Sequence, residues 1–298
     1  MAGLIRVGIG GWTFEPWRGV FYPKGLRQKD ELSYVGQHLT ATEINATYYG
    51  TQRPATFANW ARTVPDGFQF AVKASRFCTN RRVLGEAGES IAKFVNQGIA
   101  ELGDRLGPIL WQFMPTKTFD PDDFAAFLKL LPAQVDGVAL RHALEVRHES
   151  FADPAFLALA QGAGAAVVFA DHDDYPAIKG HDVGFSYDRL MRTRDDEPTG
   201  YTPDEIAAWA SMAREQSTHG DVFAFFISGA KVRAPAAAQA MIVALKYQGL
   251  LHLLQLRTHP LRLLRIGDWR IGALAERQNK MKNLQETKTC DTLFRALH

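Results

Sequence analysis

The sequence predicts an α/β protein in which eight strand-helix units close into a (β/α)8 barrel, followed by a C-terminal extension. Three observations predict it. Short apolar or alternating runs occur eight times along the chain, and most are followed by a stretch with helical periodicity. The length of 298 residues accommodates one barrel domain of roughly 250 residues. Strands that alternate with helices imply a parallel sheet with right-handed crossovers, and eight such units close most naturally on themselves.

The runs are RVGIGGW (6–12), ATEINATYY (41–49), FQFAVKA (68–74), GPILWQF (107–113), ALEVRH (143–148), AAVVFAD (165–171), GFSYDRLM (184–191) and DVFAFFIS (221–228). Helices are predicted over 26–38, 54–63, 88–104, 120–131, 153–162, 202–216 and 234–246. Asp120-Pro121 and Asp153-Pro154 each read as an N-cap followed by a proline at the first helical position, where the missing N–H costs nothing. Thr202-Pro203-Asp204-Glu205 repeats the signal. No clear helix follows Asp171, which keeps a doubly wound parallel sheet open as the alternative. The barrel is assigned to 1–247 and the extension to 248–298.

Composition is that of a soluble globular protein, 46% hydrophobic and 22% charged. The chain shows no secretory leader pattern and no run of 18 apolar residues, so no membrane association is expected. Cys78 and Cys290 lie far apart and form no metal-type spacing, which suits a reducing cytoplasm. The net charge of +2 is uneven: residues 249–298 carry nine Lys/Arg against four Asp/Glu, so the basic character belongs to the extension. Global charge is therefore a poor guide to nucleic-acid binding.

One stretch, LEVRHESF at 144–151, sets a full acid and a full base on the polar face of a strand-like run. In a (β/α)8 barrel the active site lies at the strand C-termini, where inward side chains leave the packed interior. Glu43 and Asn45, Lys73, Gln112, Glu145 and Arg147, Asp171 and Arg189 all stand at the ends of successive runs. They are expected to converge on one mouth, where the charges can pair.

On these residues the chain resembles the YecE-like family, domain of unknown function 72. The matching segments are GWTFEPWRGVFYP (11–23), TEINATYY (42–49) with the helix that carries Trp60, TVPDGFQFAVKASR (63–76), LGPILWQF (106–113), LEVRHESF (144–151), the strand end at Asp171, and DVFAFFISGAKVRAPAAAQAM (221–241). The resemblance implies a TIM-barrel fold and a site at its mouth, and no particular reaction.

Several chemistries fit these residues. The first is an enzyme acting on a phosphate-bearing substrate, nucleic acid included, with phosphoester hydrolysis as the first guess. Arg147, Arg189, Lys231 and Arg233 would hold the anion, Glu43 and Glu145 would transfer protons, and Asn45, Gln112 and Asp171 would orient the substrate. Loops after the seventh and eighth strands often bind phosphate in such barrels, and Gly229 would let the backbone approach a ligand closely. GIGGW (8–12) lacks the Gly-Lys-Ser/Thr of a phosphate loop, so its glycines are read as letting Trp12 and Trp17 fold over the mouth. The second reading is a noncatalytic module for an anionic small molecule, nucleic acid or partner. The third is Schiff-base lyase or aldolase chemistry at Lys73, which otherwise forms an ion pair with Glu43 or Glu145. No cofactor is assigned. Glu43, Glu145 and Asp171, with His148 and His172 nearby, leave a divalent metal open, although Lys73, Arg147 and Arg189 would compete for the same carboxylates.

Overall fold

The structure, a computed structural model, describes residues 2–178 and 183–258. Its main strands are β1 (Ile5–Gly10), β2 (Ala41–Ile44), β3 (Gln69–Lys73), β4 (Leu106–Gln112), β5 (His142–Glu145), β6 (Ala166–Val167), β7 (Phe169–Asp171), β8 (Phe185–Leu190) and β9 (Asp221–Phe226). They pair in parallel in the order β6-β5-β4-β3-β2-β1-β9-β8-β7. The two ends of that order, β6 and β7, are successive pieces of one segment interrupted only at Val168, whose N–H donates to the Leu144 carbonyl at 3.0 Å. The sheet therefore comes round on itself as a barrel with a split sixth strand, and the doubly wound alternative falls.

The helices between strands are α1 (Glu31–His38), α2 (Pro54–Thr63), α3 (Gly88–Val95), α4 (Pro121–Leu128), α5 (Pro154–Gly162), α6 (Pro203–Ser217) and α7 (Ala234–Thr258). The cap signals are realised: the Asp120 carboxylate accepts from the Asp122 and Asp123 N–H groups, Asp153 accepts from Ala155 N–H, and Thr202 with Glu205 forms a capping box. Three expectations need correction. The run 41–49 leaves the sheet at Asn45, and Ala46–Tyr49 forms a single helical turn. The helix expected over 88–104 breaks at Gly98, whose φ of 106° and close approach to Pro54 leave no room for a Cβ, and the chain continues as a 3-10 segment, Ile99–Arg105. The last helix runs beyond 246 to Thr258. The remainder of the expected extension, 259–298, lies outside the described residues. No helix among the described residues is long and apolar enough to cross a membrane.

The barrel interior is built in layers. At its floor Asp221 accepts from Arg6 and Arg141, each at 3.1 Å, while Arg141 also donates to Gln69 at 2.9 Å and lies over the Phe223 ring. Above that sits an apolar plug in which small residues (Ala41, Ala71, Ala143, Ala166) face large ones (Phe185, Tyr187, Phe223, Phe225). Alternating small and large side chains fill a parallel barrel without a channel. The outer strand faces pack on the helices, with Phe113, Phe119, Phe124, Phe127, Phe151 and Phe156 forming one aromatic group under α4 and α5.

Candidate functional site

Strand alternation decides what reaches the barrel mouth. Side chains two residues above an interior residue share its face, so Ala41 predicts Glu43, Ala71 predicts Lys73, Leu110 predicts Gln112, Ala143 predicts Glu145, and Tyr187 predicts Arg189. All five of these form the layer above the apolar plug. Asn45 also belongs to the lumen side: a Cβ on Gly10 would lie 3.4 Å from its amide nitrogen and 3.0 Å from Ile227.

Arg189 is the hub. Its guanidinium donates to Glu145 at 2.6 Å and to Glu43 at 3.1 Å, bridging two carboxylates that are fully buried. The second Glu43 oxygen accepts from the Tyr187 hydroxyl at 2.9 Å. Glu145 also accepts from the Gln112 amide at 2.8 Å and from Arg147 at 2.8 Å, so the acid and base of LEVRHESF do pair. Burial alone would raise the Glu145 carboxyl, but Arg189 and Arg147, with the Gln112 amide, outweigh it and hold the group below the usual carboxylate range. Arg147 is partly exposed and lies over the ring of Tyr175, 4.6 Å from its centroid. Tyr175 stacks in turn on His172.

Lys73 departs from expectation. No carboxylate among the described residues lies within ion-pair distance of it, because Arg189 has taken both candidates. Its ammonium instead sits 4.3 Å above the Tyr48 ring, in a residue only 9% exposed. Burial, reinforced by Arg189 and Arg147, lowers its pKa to about 8 against the opposing pull of Glu43 and Glu145.

Other expected residues stand elsewhere. Asp171 ends β7 in register with Leu190 rather than with Arg189, which turns it to the outer face. There it accepts from Tyr201 at 2.8 Å and pairs with Arg192, so it takes no part in the Arg189 network. Trp12 follows the turn at Gly11 and packs edge-on against Trp60 and Phe70 of the outer core instead of folding over the mouth. Trp17 is buried, and its indole donates to the Lys231 carbonyl at 2.9 Å. The Lys231 ammonium lies over Phe14 and Trp17, and Arg233 donates to the Asp195 carbonyl at 2.9 Å. Gly229, with φ of 70°, approaches the backbone of Thr193 and not an open space: a Cβ there would lie 2.4 Å from the Thr193 carbonyl oxygen. These loop cations thus serve to tie the loop after β9 to the loops after β1 and β8. His148 caps the turn Glu149–Phe151 by accepting from Ser150 N–H. No three His, Cys, Asp or Glu side chains among the described residues gather as a metal-binding group, and the guanidinium of Arg189 occupies the place between Glu43 and Glu145 that a cation would take.

Sequence reasoning missed Tyr187, Tyr48 and Tyr175. Tyr187 was available to it, two residues before Arg189 on the same strand face. Tyr48 was hidden by reading 41–49 as strand.

A closed parallel barrel whose charged side chains gather at the strand C-termini defines a (β/α)8-barrel protein with a polar mouth. Within that class the chain belongs to the family described as protein of unknown function DUF72, which matches residues 6–260. A DUF72 family protein from Thermotoga maritima MSB8 superposes with a TM-score of 0.64 at 22% identity, covering 84% of this chain and 99% of that one. One from Enterococcus faecalis V583 gives a TM-score of 0.62 at 19% identity, covering 82% of this chain and 98% of that one. Likeness at such identity shows the fold. The UPF0759 protein YunF of Bacillus subtilis (strain 168) is 26% identical over 159 residues, 51% of this chain and 54% of the relative, so the chain spans about half the length of that protein.

Proposed function

We propose that the protein binds an anionic, phosphate-bearing ligand at the barrel mouth. The charge balance there carries the reading. Lys73, Arg147 and Arg189 face Glu43 and Glu145, and both carboxylates are fully engaged by Arg189, Arg147, Tyr187 and Gln112. Among the described residues Lys73 is left a desolvated cation without a counter-charge. Burying such a group is costly unless something pairs with it, and an anionic ligand supplies the partner. Phosphoester hydrolysis has weaker support, since Glu43 and Glu145 have every oxygen committed and neither is poised to shuttle a proton.

The nucleic-acid form of this reading is favoured by the rim. Tyr49 and Phe77, on the loops after β2 and β3, are 69% and 59% exposed, and the Arg76 guanidinium lies over Phe77. Exposed rings interleaved with cations are what stacked bases and phosphates require. A cytoplasmic location belongs to the same proposal, in keeping with the buried free thiol of Cys78.

Thermal unfolding with inorganic phosphate and with short single-stranded oligonucleotides tests it. A ligand at a hundredfold excess over its Kd should add about 2.7 kcal/mol, oligonucleotide binding should weaken as salt rises, and Arg147→Gln or Lys73→Met should remove most of the ligand-induced shift. A shift that survives both substitutions but is lost with Lys231→Gln plus Arg233→Gln refutes the mouth as the site.

A further inference from the structure

We propose that Lys73 is a Schiff-base-forming lysine whose amine condenses with the carbonyl carbon of an aldehyde or ketone that also carries a phosphate or carboxylate. The inference rests on the anion-binding reading above and adds a covalent step to it. A lysine this deeply buried ordinarily has a carboxylate beside it. Here the two nearest candidates are locked onto Arg189, and among the described residues the ammonium has only the face of Tyr48.

Position supports the role as well. Lys73 is the last residue of β3, and its backbone is fixed on two sides: its carbonyl accepts from the Thr47 hydroxyl at 2.7 Å, and the next N–H, that of Ala74, donates to the Leu110 carbonyl at 2.9 Å. The side chain is therefore presented from a rigid strand end at the face where barrels of this kind do chemistry. The charged groups around it are Glu43 from β2, Glu145 and Arg147 from β5 and the segment after it, and Arg189 from β8. With its pKa lowered to about 8, about a tenth of the amine is neutral at pH 7, far more than for an ordinary lysine. Desolvation without an ion pair, beside other cations, is a recognised way to make a nucleophilic amine.

The step balances without any redox partner. The neutral amine nitrogen adds to the carbonyl carbon as the C=O π bond opens, and one N–H proton passes through water to the oxygen to give a neutral carbinolamine. The hydroxyl takes a proton from water and leaves as water while the C=N bond forms, and nitrogen returns its second proton to solvent. Arg147 would hold the anionic end of the ligand.

The test is reductive trapping on the full chain. Pyruvate, glyceraldehyde 3-phosphate and uncharged propionaldehyde are incubated separately with the protein and sodium cyanoborohydride, and labelled lysines are located by peptide mass mapping. Lys73 should be labelled at least tenfold faster than any other lysine, with a rate that rises through about pH 8. Lys73→Arg should abolish that label, and Arg147→Gln should slow labelling by the two anionic probes but not by propionaldehyde. Because trapping is read on the unmodified protein, a variant that fails to fold does not blunt the result. If phosphate stabilises the protein through the mouth yet Lys73 is labelled no faster than surface lysines, the Schiff base is overturned and the anion reading stands. Preferential labelling at equal rates by charged and uncharged probes supports the amine and overturns the anion reading.

Discussion

Arg189 decides the shape of the mouth. It ties two carboxylates that would otherwise repel each other, and in doing so deprives Lys73 of an ion pair. Replacing it by Met leaves Glu43 and Glu145 buried with Tyr187, Gln112 and Arg147 as their remaining hydrogen-bond partners among the described residues. Removing one partner of a buried ionic cluster typically costs about 3–5 kcal/mol. Urea unfolding of Arg189→Met should show a loss of that order, and adding Glu43→Gln should recover part of it. Additivity of the two substitutions would mean that the carboxylates are not coupled through Arg189. Most of this cluster was legible from strand alternation, because Glu43, Lys73, Gln112, Glu145 and Arg189 each stand two residues above an interior side chain. What alternation misjudged, it misjudged by one residue: Asp171 falls on the opposite parity to Arg189 and so belongs to the outer face. The fate of Lys231 and Arg233 was not readable at all, since their partners lie on loops far away in sequence.

Between elements, the contact of β8 with α6 contains a second buried charge that the site does not use. Asp188 faces outward from β8 and accepts from the Gln216 amide on α6 at 3.0 Å; its other oxygen is buried without a partner among the described residues. Burial raises its pKa from 3.8 to about 7, only partly offset by Gln216. The folded state therefore holds a proton that the unfolded chain releases near pH 4. Stability from this group is full below pH 4 and falls as pH rises towards 7, by about 1.4 kcal/mol for each pH unit. Asp188→Asn removes the titration: unfolding free energies should match the parent below about pH 4 and exceed it by a growing margin as pH rises to about 7. An identical pH dependence in the two proteins would show that Asp188 is ionised in the fold. At this scale the sequence located strands and helices well, because caps and periodicity are local. It failed where a contact overrode local pattern, as at Gly98 against Pro54, and it missed the hairpin Gln134–Val135 with Val138–Ala139, although the two-residue Asp136-Gly137 turn between them was there to be read.

Inside the barrel, among the described residues, charge is confined to its two ends. Arg6, Arg141 and Asp221 close the floor, an apolar layer fills the middle, and the Arg189 network crowns it. Eightfold repetition of strand and helix made this architecture visible in the sequence. The difference between the ends was not, because it depends on which cations find partners. Asp221 at the floor binds both of its arginines, whereas the mouth, among the described residues, keeps Lys73 unpaired. That asymmetry is the reason for assigning ligand binding to the mouth. Crystals soaked in tungstate, a heavy analogue of phosphate, test the assignment most directly. The anomalous peak should lie within hydrogen-bonding reach of Lys73 Nζ and the Arg147 guanidinium, and should disappear in Lys73→Met crystals. A peak against Lys231 and Arg233, or a mouth left empty while tungstate occupies another surface, would contradict it.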